Sequence, residues 1–524
     1  MIAFANLLER LAFTPGRNAK IALLRRYFAT APDRGLGLAA VCGALSFKAA
    51  KAGLIRELAA ARTDPALFAL SYDYVGDLAE TVALMWPAAA TNAAPPRLGE
   101  VVATLGAGAR ADLPGIVAGW LDASDASVRL ALLKLITGGL RVGASARLAR
   151  LALAELSAGR VSADEIEEVW HALAPPYEGL FGWIEGRGPR PDPLGAPVFR
   201  PPMLAHALEA GDLAALDPAE FRAEWKWDGI RVQLVGGPGG RRVYSRGAED
   251  ISAAFPDILA AIDFHGVLDG ELLVMREGAI APFADLQQRL NRRSVGAKLL
   301  AGHPAHVRLY DMLFHGAEDL RPLGFDARRA RLEAWFAATP PARMSLSEMI
   351  PFASIDELAA RRAGARAAAI EGLMLKRADA PYLPGRPRGL WWKWKREPLR
   401  IDTVLMYAQR GHGRRSSFYS DYTFGLWRED GELVPVGKAY SGFTDAELAF
   451  LDKWVREHTT QRFGPVREVE RGLVLEVAFD AAQFSGRHKS GVALRFPRIA
   501  RIRRDKPAAE ADRLETLTRM IAGG

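Results

Sequence analysis

Apolar residues recur at i, i+3 or i+4 through LLRRYFAT, AAKAGLIRELAAAR, SVRLALLKLITGGLRVGASARLARLALAEL and SADEIEEVWHAL, which predicts helices from residue 1 to about 185. The stripe stops at EGRGPRPDPLGAPVFRPP, where dense Pro and Gly predict a linker over 186–202. From 203 the period changes. Strand-like RVQLV, RRVYSR, GVLDGELLVM and HVRLYDMLF come first, then helical ARRARLEAWFA and EGLMLKR. After Pro398 the short runs IDTVLMYA, YTFGLW, LVPVGKA and LVLEVAF, parted by Gly and charged loops, predict a small β-barrel. The expected order is therefore an all-α region (1–185), a linker (186–202), an α/β region (203–398) and a mostly β region (399–524).

One strand breaks its own pattern. In EWKWDGIRVQLV (224–235) the apolar positions suit a half-buried strand, yet Lys226 lies between Trp225 and Trp227. An ammonium group there is costly unless it is paired or loses its proton. A lysine that attacks an electrophile must do so as the free amine, and flanking tryptophans with nearby cations would favour that form. GGPGG at 236–240 lacks the Lys-Ser/Thr and helix start of a phosphate-binding loop, so it reads as a hairpin turn.

Composition narrows the classes. The 524 residues suggest about three domains, and a net charge of +8 suggests a polyanionic partner. A single cysteine, Cys42, excludes an internal disulfide and a Cys-rich zinc site, as expected of an intracellular protein. No run approaches transmembrane length, and the N-terminus lacks the apolar core of a signal peptide, so no membrane partner is expected.

Further chemistry-bearing residues follow Lys226 in order. KWDGIR carries Arg231, YSRGAED Arg246, VLDGELL Glu271, VRLYDMLF Tyr310 and EGLMLKR Glu371. GRPRGLWWKWKR carries Arg386, Arg388, Lys393 and Lys395, and LRFPRIARIRRDK carries Arg495, Arg498, Arg501, Arg503 and Lys506. A strand over WWKWK would point both lysines to one face and tryptophans to the other. Two such cations suit a triphosphate and not an apolar core.

Taken together and in this order, these segments resemble the nucleotidyltransferase motifs of ATP-dependent DNA ligases. The helical region also resembles the DNA-binding domain of larger ligases, in SYDYVGDLAE and LLKLITGGLRVG. The resemblance implies a nucleotidyltransferase domain with antiparallel sheets, followed by an oligonucleotide-binding (OB-fold) barrel. Lys226 would be the nucleophile that takes AMP from ATP. Glu224 would lie at the adenine, Arg231 near the ribose or phosphate, and Tyr310 stacked on the base. Arg246 would help bind the nucleotide and the 5′-phosphate. Glu271 and Glu371 would hold a ribose hydroxyl or a divalent cation, Mg²⁺ or Mn²⁺. Arg388, with Arg386 as its rival, and Lys393 and Lys395 would contact the nucleotide. Arg503 and Lys506 would orient pyrophosphate, ahead of Arg495 and Arg498.

The implied partner is nicked duplex DNA, bound by a monomer in the cytoplasm and at the nucleoid. Lys134 and Arg141, around TGGLRVG, are candidate contacts to its phosphates. RNA ligases and capping guanylyltransferases share the lysine motif, and the long helical extension argues for duplex DNA. An inactive DNA-binding module is opposed by the intact Lys226, Glu371, Lys393 and Lys395. An NAD-dependent ligase is opposed by the lone cysteine.

Overall fold

The computed structural model describes residues 1–522 apart from 48–49, 88–90, 108–110, 139, 141–142, 194–195, 291, 293, 366–368, 411–417, 464–465 and 487. Arg141 therefore lies outside the described residues.

Among these, 1–184 fold as helices only, from Ile2–Phe13 to Glu178–Ile184. Start signals are explicit. Asp64, Asp77, Asp125, Ser145 and Ser162 each accept a hydrogen bond from the backbone N–H three residues on. The apolar stripes meet in one core that includes Phe4, Leu11, Phe28, Leu132 and Leu153. Helix Ala126–Thr137 ends on Gly138 in the left-handed conformation. Its Lys134 does not face outward as a DNA contact would. The amine pairs with Asp77 at 2.7 Å and Glu80 at 3.2 Å, so this cation staples two helices together.

Among its described residues the expected linker has no regular secondary structure, but it is not a solvated tether. Val198 and Phe199 are buried, Phe199 against Met203, Tyr244 and Trp391 of the next region, and the Tyr244 hydroxyl donates to the Pro197 carbonyl at 2.6 Å. The helical region docks here as well. Glu168 accepts from Arg321 at 2.5 Å and from Arg190 at 3.0 Å. The His171 ring lies 4.8 Å from that of Tyr244.

The central region holds two sheets. Strand Phe221–Trp227 pairs antiparallel with Ile370–Arg377, which pairs antiparallel with Trp391–Lys395. EGLMLKR is thus a strand and not the helix its composition suggests. Ladder bonds to neighbours on both edges override its helical propensity. The second sheet runs Gly240–Ser245, Ile230–Gly237, Gly266–Arg276, Ala305–His315, with antiparallel neighbours. GGPGG is the expected hairpin, closed by the pair Gly237 and Gly240. Outer faces are apolar: Phe255, Ile258 and Leu332 cover the second sheet, and Leu358 covers the first. Inner faces carry the polar residues and bound a cleft, crossed where Arg308 lies over Trp227 at 4.2 Å and Lys376 over Tyr310 at 4.5 Å.

Beyond Pro398 the chain is β-rich. The long strand Leu399–Arg410 pairs with Tyr419–Trp427 on one edge and with Val474–Phe479 and Val466–Val469 on the other. Helix Asp445–Glu457 packs Leu451 and Val455 into its core. No helix among the described residues is long and apolar enough to cross a membrane.

Candidate active site

Lys226 sits one residue from the end of its strand, before a turn made by Asp228 and Gly229. A side chain at Gly229 would strike the Leu272 carbonyl, 2.4 Å from a built Cβ, so only glycine lets this turn lie against the strand Gly266–Arg276. Across the ladder, Lys226 is opposite Gly372, and the register slips between Ile370 and Gly372. That slip re-aims Glu371 toward the lysine, and the Lys226 amine donates to the Glu371 carboxylate. The nucleophile candidate thus meets a carboxylate directly, where neighbouring cations were expected.

Those cations are close by, on the far side of the carboxylate. Lys395 lies 3.6 Å from the same Glu371 oxygen and donates to Asp480 at 3.0 Å. Lys393 has its pKa lowered by burial and then by Arg386, Lys395, Lys226 and Arg246. Both lysines leave one face of the tryptophan-rich strand, as its alternation requires. Trp392 and Trp394 pack on the opposite side. Trp391 shares the lysine face, deeper in, 4.8 Å from the Lys376 amine. Both rival arginines are exposed, and Arg386 is the one whose charge is felt at Lys393. Arg246 is exposed just past its strand.

The acids divide by environment. Burial pushes the Glu371 carboxyl up, but Lys226 and Lys395 outweigh it and hold the pKa below its usual value. Asp228 is raised, first by burial and then by the neighbouring Glu371, against the pull of Arg495. Glu271 is raised to about 8, chiefly by burial, with Lys226 and Arg231 opposing. It lies across the sheet from both Arg231 and Arg308.

The remaining candidates are tied into the fold. Arg231 donates to both Asp269 oxygens, to the Met203 carbonyl and to the Tyr382 hydroxyl, which leaves little of its fork for a ligand. Tyr310 faces the cleft, with burial raising its pKa. Glu224 is buried against Lys376 and Arg329.

The C-terminal cations are not arranged as expected. Arg503 and Lys506 both bind Asp402, at 2.9 and 2.8 Å, within the β-rich region, and Arg503 also binds Asp505. It is Arg495 that reaches across. It pairs with Asp228, lies 4.0 Å from Glu371, and stacks on the Phe283 ring at 4.1 Å. Arg498 follows, bonding Asp480 at 3.0 Å. The order of preference within LRFPRIARIRRDK is therefore reversed in this arrangement. A charge run gives no sign of which members turn inward.

Sequence reasoning passed over Asp228, Lys376, Arg329 and Tyr382. The first two lie inside quoted motifs, and their burial was the missing signal. Arg329 and Tyr382 lie in unremarkable stretches, with no signal to find them by.

Among the described residues no group of three or more His, Cys, Asp or Glu forms a ready metal cage. Glu271 and Glu371 nevertheless fit a hard cation. Both are oxygen donors beside Lys226, and Mg²⁺ keeps most of its waters and takes few protein ligands.

Comparison with known proteins identifies the family. Residues 202–395 match the family model "ATP dependent DNA ligase domain", and 415–506 match "ATP dependent DNA ligase C terminal region". A probable DNA ligase of Koribacter versatilis is 38% identical over 337 residues, covering 60% of this chain and 58% of its own length. One from Opitutus terrae is 36% identical over 461 residues, of which the chain covers 45% of the relative's length. The chain thus spans about half the length of these two relatives. A probable DNA ligase of Anaeromyxobacter sp. is 34% identical over 455 residues, covering 83% of this chain and 84% of its own length. A solved structure named Pmar-Lig_PreS3 covers 95% of this chain with a TM-score of 0.57 at 15% identity, a likeness of fold. Two family models in sequence, and a relative matched over most of both chains, establish that the chain belongs to the ATP-dependent DNA ligase family.

Proposed function

We propose that this chain seals nicks in duplex DNA with ATP as the energy source. Lys226 attacks the α-phosphorus of ATP and becomes Lys226-AMP as pyrophosphate leaves. AMP then passes to the 5′-phosphate of a nick, and the 3′-hydroxyl displaces AMP to join the strand. The observation that carries this reading is the constellation at Lys226. A lysine at a cleft between two sheets, backed by Lys393 and Lys395 and gripped by Glu371, suits attack on a polyanion.

In this reading the Glu371 carboxylate holds the amine until the nucleotide's phosphates take over the cations around it. Lys393, Lys395, Arg246 and Arg386 bind phosphate oxygens. Tyr310 stacks on the base, and Arg231 acts through Asp269 by fixing the sheet beneath the ribose. Glu271 and Glu371 would hold Mg²⁺ or Mn²⁺, which when bound neutralises charge on phosphate oxygens. The β-rich region acts as an OB-fold domain (399–524) that brings Arg495 to the reacting end, with Arg503 and Lys506 on its rim. The helical region (1–185) grips the duplex, and 203–398 is the nucleotidyltransferase domain. The protein works as a monomer inside the cell.

The test is incubation with labelled ATP, GTP and NAD in turn, followed by a denaturing gel. Label is expected from ATP alone. Transfer from GTP would point to a capping activity, and transfer from NAD to the other ligase class.

A further inference from the structure

We infer that a cavity at the seam between the 186–202 segment and the second sheet is a binding site for a small carboxylate with an apolar body, gripped by Arg200.

The cavity encloses about 210 Å³. Pro197 and Val198 line one side of it, and Val235, Val267 and Phe314 line the other. Those three form one row across the sheet, Val235 opposite Val267 and Val267 opposite Phe314. Arg200 supplies the charge. Its backbone is held twice by Gln233, whose side-chain oxygen accepts the Arg200 N–H at 2.5 Å and whose amide donates to the Arg200 carbonyl at 3.0 Å. The guanidinium lies 4.6 Å from the Phe314 ring centre. Its Nε is buried with no partner, and no carboxylate among the described residues pairs with the group.

The arginines beside it differ. Arg190 binds Glu168 at 3.0 Å, and Arg321 binds Glu168 at 2.5 Å and Asp319 at 2.7 Å. Both acids are engaged by those pairs. Burial lowers the Arg200 pKa, and the charges of Arg321 and Arg190 add to that against the pull of Glu168 and Asp319. A half-buried cation is costly to keep without a partner, which gives this one an affinity for an anion from outside the chain.

The walls decide which anion. A guanidinium presents a fork of N–H donors that matches a carboxylate. Valine, proline and phenylalanine side chains offer nothing to the further oxygens of a phosphate, whereas they suit a hydrocarbon body. The volume lies below the roughly 300 Å³ at which sites for drug-sized ligands begin, so that body is a single ring or a short chain. Asp192 is the one acid among the lining residues, and it is exposed, so water and salt screen its charge.

Calorimetric titration of full-length protein tests this with benzoate and hexanoate as probes, and with benzamide and inorganic phosphate beside them. At least one carboxylate should bind once per chain, and saturating ATP should leave that binding unchanged, which separates the cavity from the cleft at Lys226. Benzamide, of the same shape as benzoate but uncharged, should bind at least about tenfold more weakly, and phosphate should not compete. Arg200→Gln should weaken carboxylate binding by a similar factor, with Arg200→Lys between it and wild type, since an ammonium keeps the charge and loses the fork. The comparison of benzoate with benzamide needs no variant, so the test survives an Arg200→Gln protein that does not fold. Four results would each overturn the inference: neither carboxylate binding up to roughly 10 mM, benzamide binding as well as benzoate, displacement by ATP or by phosphate, or full affinity in folded Arg200→Gln.

Discussion

At the scale of single residues the decisive group is Lys226. Lys226→Ala and Lys226→Arg should both abolish the covalent adenylate, because a guanidinium keeps its proton and cannot supply a free amine. Both should still seal a nick that already carries AMP, which a gel with pre-adenylated DNA measures. Glu271 gives a pH prediction. Its pKa rises from 4.5 unfolded to about 8 folded, so the folded state binds the proton more tightly. Its contribution to stability is therefore complete below about pH 4.5 and is lost as pH rises toward 8. Melting of wild type and Glu271→Gln in matched buffers should show the variant gaining on wild type by roughly a few degrees between pH 5 and 8. Parallel curves would place the Glu271 carboxyl in a wetter setting.

Elements decide how much of this could be read in advance. The change from helical to period-2 patterning gave the region order, since amphipathic stripes need only local spacing. Lys226, Glu371, Lys393 and Lys395 converge because short motifs mark strands that pair directly. What stayed hidden was everything set by pairing partners. EGLMLKR became a strand through its neighbours, Trp391 turned to the lysine side, and the inward cation of the C-terminal run is Arg495. This difference has a readout. Arg495→Ala should slow formation of the adenylate by on the order of tenfold to a hundredfold, as loss of an oriented charge at a reacting centre does. Arg503→Ala should act instead on melting of the β-rich region, because Asp402 loses a partner while its other oxygen already has none. If Arg503→Ala stops adenylation and Arg495→Ala does not, the cations exchange places before reaction.

For the whole molecule, the joint between the helical and central regions sets where the chain can be cut. Removing residues up to 200 would strip Val198 and Phe199 from the central core, so a fragment beginning at Ala196 is the sound choice. That fragment should still form Lys226-AMP, since the nucleotide motifs remain. It should bind and seal nicks poorly, with the shortfall growing across a salt series as phosphate contacts are screened. Equal behaviour of fragment and full chain at every salt concentration would remove the helical region from DNA binding.

The guanidinium of Arg308 over the Trp227 indole has an optical consequence. Trp227 is next in sequence to Lys226, and its ring lies 4.2 Å from a fixed positive charge. Indole emission responds to nearby charge, so a phosphate that draws cations toward Lys226 changes the field this ring experiences. The protein thus carries its own dye beside Lys226, and Trp227→Phe subtracts that signal from those of the other eleven tryptophans among its 12.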